Sequence, residues 1–159
     1  MNFTESEPAV KDTFHLAQLG SWTDLNNLDL KRNMGTGKYS IKFYFNKTDN
    51  EYRLSLGDVC ESAKVYLNGQ FVQTLFSVPF ETNIGKYLKE GENLLEVEVT
   101  NLPANRISDY DKRGVEWRIF NEINFVDVTY NAKTRYDKWQ TSPSGLLGPV
   151  VIKELKEIK

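Results

Sequence analysis

From Gly37 onward apolar and polar positions alternate with a period of two. "GKYSIKFYF" sets Tyr39, Ile41, Phe43 and Phe45 on one face and Ser40, Lys42 and Tyr44 on the other, as a half-buried antiparallel strand requires. "YRLSLGDV" points Leu54 and Leu56 inward, and "SAKVYLNGQFV" opposes Ala63, Val65 and Leu67 to Lys64 and Tyr66. Asn68-Gly69 supplies the positive φ angles of a two-residue hairpin turn between the two halves of that segment. "PFETNI" reads as a shorter strand that tolerates Pro79 at its start. Glu90 to Asn93 then turn the chain into a strand with Leu95, Val97 and Val99 inward. "VEWRIF", "INFVDVTYN" and a closing "LLGPVVIKEL" complete the set, and helical periodicity is almost absent, with one short turn at Asn83–Leu88. Eight or nine short strands separated by regular turns predict an all-β fold, an antiparallel β-sandwich of jelly-roll type.

One stretch breaks this rhythm. "NLPANRISDYDKRGVEW", Asn101 to Trp117, is a polar detour that reads as a loop. Connections longer than about 12–15 residues without structure of their own are uncommon in compact domains and often bind or react. The detour therefore supplies the first candidate ligand-binding residues: Arg106, Asp109, Tyr110, Asp111 and Arg113. A second polar connection, "AKTRYDKWQTSPSG", adds Trp139.

The chain has 159 residues, enough for one core, and the expected division is a linker or frayed start over residues 1–12 and a single domain over 13–159. Twenty Lys and Arg against 22 Asp and Glu leave a net charge of -2, so no overall field favours nucleic acid or an anionic membrane. Aromatic residues make up 13%, which suits a sandwich core together with some ring-lined surface. No apolar run approaches the roughly 20 residues of a membrane span. Met1 to Val10 is acidic without an apolar stretch, so it shows no targeting signal; an exported parent, periplasmic or at the cell surface, would carry its signal elsewhere.

The chemistry is limited by what is scarce. Cys60 is the sole cysteine, which excludes an internal disulfide and a Cys-based zinc cluster, and it reads as a small buried strand residue. His15 is the sole histidine and reads as structural. Paired carboxylates serve glycosidases at about 5–10 Å separation, and Asp109, Asp111, Glu116 and Glu122 are near in sequence. With 22 acids in the chain, such proximity decides nothing. Asp109-x-Asp111 opens a calcium-loop pattern, but Arg113 stands where a further oxygen ligand is needed; the EF-hand pattern fails, and a structural calcium or sodium ion on these two residues stays open. No other cofactor is expected.

Among the rings, Trp117 alternates with Val115 and Ile119 as a core residue would, Trp22 caps the sandwich, and Trp139 is equally suited to core and to stacking on a sugar face. Arg106 and Arg113 serve either as forks for a ligand or as partners of Asp109 and Asp111 that hold the loop.

Four segments, "GTGKYSIKFYF", "LSLGDVCESAKVYLNGQFVQTLFSVPFETNIGKYLKEGENLLEVEVTNL", "ANRISDYDKRGVEWRIFNEINFVDVTY" and "PSGLLGPVVI", together resemble the galactose-binding-like jelly roll of glycoside hydrolases. The broad likeness is to the sugar-binding domain of family 2 β-galactosidases and β-glucuronidases. "NRISDYDKRGVEWRIFNEINF" and "SGLLGPV" are more similar to the C-terminal β-sandwich of family 106 α-L-rhamnosidases, over roughly Leu16 to Lys153. The resemblance implies a non-catalytic accessory module whose partners are carbohydrate and the catalytic domain of a parent hydrolase. It also matches Asp109 and Asp111 to a family 2 Asp-x-Asp segment that helps build the neighbouring active site. A family 2 asparagine shortly before Thr-Gly-x-Tyr falls at Met34 here, with Asn33 one position away.

Two functional classes follow, with a free-standing glycosidase as a third and weaker one. In the first the module faces sugar through the Asn101–Glu116 stretch; in the second it only packs on the catalytic domain, through an apolar patch that includes Phe71, Leu75 and Phe76.

Overall fold

Every pair of neighbouring strands in the computed structural model, which describes residues 1–117 and 135–155, is antiparallel. Ten strands are formed among those residues: β1 (Asn2–Glu7), β2 (Met34–Phe45), β3 (Glu51–Ser55), β4 (Asp58–Cys60), β5 (Ser62–Leu67), β6 (Gln70–Leu75), β7 (Glu81–Asn83), β8 (Gly91–Thr100), β9 (Gly145–Gly148) and β10 (Val151–Leu155). A five-stranded sheet runs β1-β2-β8-β5-β6, and a three-stranded sheet β10-β3-β7 and a two-stranded ribbon β4-β9 supply the second layer. The result is the expected all-β sandwich.

Alternation sets the core. Val65, Leu67, Val97 and Val99 from the large sheet meet Leu54 and Leu56 from the opposite layer, and all are essentially inaccessible to water. Each such side chain contributes roughly 1.5–3 kcal/mol by leaving solvent. β2 holds the large sheet in register by pairing with β8 from Thr36↔Thr100 to Phe45↔Gly91. The β5–β6 hairpin turns as predicted, with Asn68 at φ 55° and Gly69 at φ 77°.

Several expectations need correction. The start expected as linker or frayed edge contains β1, which pairs with β2 from Asn2↔Lys38 to Glu7↔Met34 and lays Phe3 edge-on against Trp22. Alternation also over-predicts burial at Ile41: it is 60% exposed, beside a groove of about 660 Å³ between β2 and β10 that Phe43, Leu16 and Ile152 also line. The closing strand breaks in two at Gly148-Pro149. Cys60, read as a buried strand residue, is only partly buried, while His15 lies exposed among the residues that line that groove. Of the strands read in "VEWRIF" and "INFVDVTYN", residues 118–131 lie outside the described residues, and Val115–Trp117 form none.

The largest correction concerns the polar detour. It holds a ten-residue helix, α2 (Ala104–Arg113), preceded by a short α1 (Leu28–Lys31) and by a 3-10 turn at Trp22–Asp24. The buried positions of α2 are Asn105, Arg106 and Ser108, so it has no apolar stripe for periodicity to reveal. Pro103 starts it and Gly114, left-handed at φ 67°, stops it, the usual asymmetry of helix ends.

Candidate functional site

Polar bonds seat α2 on the end of the sandwich. Asn105 Nδ2 donates to the Ser142 carbonyl (2.9 Å) and Asn105 Oδ1 accepts from the Ser142 N–H (2.8 Å), so one side chain closes both backbone groups of the strap ahead of β9. Beneath it, Asn101 Nδ2 donates to Ser144 Oγ and to the Asn33 carbonyl, both at 3.0 Å, while its Oδ1 accepts from Gly35 N at 2.9 Å. Ser144 N in turn donates to Ser21 Oγ at 2.9 Å. Asn33 is thus a buried tie rather than an exposed sugar contact.

On one side of α2 Asp109 gathers cations. Arg106 Nη1 lies 3.0 Å and Arg113 Nη2 2.7 Å from its Oδ2, and Arg32 Nη1 approaches its Oδ1 at 3.7 Å. Arg106 also reaches back to Glu7 at the end of β1 (2.8 Å), where the Tyr110 hydroxyl donates to the same carboxylate, and its guanidinium sits 4.3 Å over the Tyr110 ring. These contacts shift the ionisation of their members. The Tyr110 hydroxyl, and after it the Arg106 guanidinium, hold the Glu7 carboxyl below its usual range. Burial alone would lower the pKa of Arg106, but its bonds to Glu7 and Tyr110 outweigh that and leave it raised. Of the two readings for the arginines, loop-holding is the one the geometry shows, with both on Asp109 and neither on Asp111.

Asp111 faces the other way, as residues two apart on a helix must. Its Oδ1 accepts from Trp117 Nε1 (2.8 Å), its Oδ2 from the Tyr136 N–H (2.6 Å), and its carbonyl from Arg135 Nη2 (3.1 Å). The Tyr136 ring lies 4.4 Å from that of Trp139 and 6.2 Å from that of Trp117, so three rings line up beside one carboxylate. Trp139 is 46% exposed. Trp117 therefore belongs to this row and not to the sandwich core, against the strand reading. The two aspartates do not converge, and no group of three or more His, Cys, Asp or Glu side chains that could hold a metal occurs among the described residues.

The 3-10 turn, α1, strands β2 to β8 and α2 all lie within residues 19–133, which match the model of the sugar-binding domain of glycosyl hydrolases family 2. The chain belongs to that family. A curated protein of Formosa agariphila (strain DSM 15362 / KCTC 12365 / LMG 23005 / KMM 3901 / M-2Alg 35-1), named "Putative beta-glucuronidase", is 35% identical over 159 residues, covering 88% of this chain and 14% of that protein. The solved rhamnosidase of Novosphingobium sp. PP1Y is 28% identical with a TM-score of 0.67, over 86% of this chain and 12% of the other. A β-glucuronidase of an uncultured Clostridium sp. is 31% identical over 52% of this chain and 15% of its own, at a TM-score of 0.49. This family 2 sugar-binding domain thus spans about a seventh or less of the length of the curated relative and of the solved rhamnosidase. The motif resemblance agrees with both findings, family 2 in the matching model and rhamnosidase in the structural neighbour.

All six residues singled out from sequence are placed: Arg106, Asp109, Tyr110 and Arg113 in the ion cluster, Asp111 and Trp139 in the ring row. Sequence reasoning missed Glu7, Asn105, Tyr136 and Ser144. Pro103 and Gly114 around a ten-residue polar segment were the signal that would have announced α2 and, with it, Asn105.

Proposed function

We propose that this domain is the sugar-facing accessory module of a larger glycoside hydrolase, with the reactive carboxylates on another part of that polypeptide. The row Trp117, Tyr136 and Trp139 beside Asp111 carries the reading, since a pyranose packs its apolar face on an aromatic plane while a neighbouring carboxylate accepts its hydroxyl protons. Family membership and the β-glucuronidase and rhamnosidase names of the relatives support a carbohydrate as ligand. Asp109 and its arginines hold α2, and so present Asp111 to the ring row.

Tryptophan fluorescence titration with L-rhamnose, D-galactose and D-glucuronate tests this. Trp139→Ala is expected to weaken the best ligand about tenfold, the equivalent of 1.4 kcal/mol. Unchanged affinity after that substitution removes the ring row as the site.

A second reading rests on a different surface. Phe76 is 79% and Val78 81% exposed in the connection between β6 and β7, with Phe71 half-exposed nearby on β6. Such a patch suits packing against a neighbouring domain without sugar. Leu75, which the sequence pattern places in that patch, is buried and does not contribute. Saccharide-independent association with the parent's catalytic domain, lost in Phe76→Ser, would favour it.

A further inference from the structure

The chain carries a net charge of -2, yet cations collect at one hollow on its surface. Between α1 and α2 lies a cleft of about 370 Å³ lined by Lys31, Arg32, Asn105, Ser108, Lys112 and Thr141. A second hollow of about 240 Å³ shares Lys31 and Thr141 and is also lined by Ser21, Thr23 and the carboxylate residue Asp24. Within the first, Asp109 is the sole acid, and its carboxylate is already bonded to Arg106 and Arg113. Lys31 and Lys112 both line the cleft and make no ion pair with any described residue. Ser108 adds an independent sign: it is 4% exposed, and its hydroxyl has no hydrogen-bond partner although buried polar groups nearly always find one. Leu28, 78% exposed on the rim, offers an apolar contact of the kind that sugar C–H groups take.

We infer that this cleft is an anion subsite for a saccharide bearing a carboxylate or a sulfate ester. The inference rests on the accessory-module reading and deepens it. The charged group lies between Lys31 and Lys112, where two ammonium donors in a partly enclosed hollow form charge-assisted hydrogen bonds. Asn105, Ser108 and Thr141 line the space for the ring hydroxyls. The strap that carries Trp139 in the ring row also carries Thr141, two residues on, in the lining of the cleft.

The test is amide chemical-shift titration of the whole chain with D-glucuronate, D-glucose 6-sulfate, D-glucose and sodium acetate. Saturable shifts at Ser108, Lys112 and Thr141 with either charged sugar, at least tenfold weaker with glucose, support the assignment, and the two charged arms separate carboxylate from sulfate. Lys31→Ala/Lys112→Ala should lower charged-sugar affinity at least tenfold and flatten its salt dependence while leaving the thermal midpoint unchanged. Equal response to glucose, equal response to acetate, or full affinity in the double variant overturns it. Trp139→Ala keeps the two readings apart: neutral sugar binding that depends on Trp139, with no charge preference at the cleft, sinks the subsite alone.

Discussion

The β5–β8–β2 region and the α2 corner of the same domain bury their side chains for opposite reasons. In the sheets, Val65, Leu67, Val97 and Val99 are inside because they are apolar and stand on the inward face of a pleat. At α2, Asn105, Arg106 and Ser108 are inside because the helix is tied down by hydrogen bonds and ion pairs that need them there. Burial of the first kind is non-directional and tolerant of small shifts. The second kind depends on geometry, and leaving one of its members unpaired costs more than making the bond contributes.

That contrast can be broken at its apolar end first. Leu54→Ala removes a fully buried side chain between the layers and is expected to lower stability by about 3 kcal/mol in denaturant titration. Asn105→Ala comes next: both Ser142 backbone groups lose their partner, for about 1–3 kcal/mol, and protease sensitivity should appear around Ser142 rather than in the sheets.

Tyr39 joins the two regimes, since its buried ring is apolar core and its hydroxyl accepts from Leu146 N at 3.1 Å. Tyr39→Phe should cost about 1 kcal/mol. Burial pushes its pKa up to about 12 from the usual 10.0, so the folded state stays protonated where the unfolded chain ionises. Stability from this group is intact below pH 10 and falls as pH rises towards 12, and thermal melts across that range should show a shallower fall in the phenylalanine variant.

The smallest effect is expected at Glu7, whose side chain is 48% exposed. Its pKa is depressed first by Tyr110 and then by Arg106, so its contribution is present above the ordinary value of 4.5 and is lost as pH falls through the folded one. The difference in thermal midpoint between the native chain and Glu7→Gln should therefore narrow once pH drops below 4.5. A gap that widens there reverses the assignment.

The same contrast explains what was legible in the sequence. Alternation located β2, β5 and β8 and their inward residues because water sorts apolar from polar side chains locally, whatever the rest of the chain does. Asn68-Gly69 located a turn because few other pairs tolerate two positive φ angles. α2 escapes because its buried face is polar, and periodicity of apolar residues cannot mark such a face. Ile41 escaped in the other direction: alternation assigns a face, but the opposing layer leaves part of that face uncovered. The two roles of the candidate aspartates depend on long-range placement, since Glu7 and Tyr136 lie 103 and 25 residues from the helix positions they bond.

The junction at Ser144 has a consequence for how the domain comes into being. Its backbone bonds Ser21 and Trp22, 123 residues away in the case of Ser21, and its hydroxyl bonds Asn101 across a separation of 43. A ribosome releases the turn at Ser21 and Trp22 long before the segment that locks it, and contacts of such span slow folding. During synthesis the nascent chain must hold Trp22 and Asn101 without their final companions until the last two strands emerge, which makes that interval the one in which a holding chaperone would matter most.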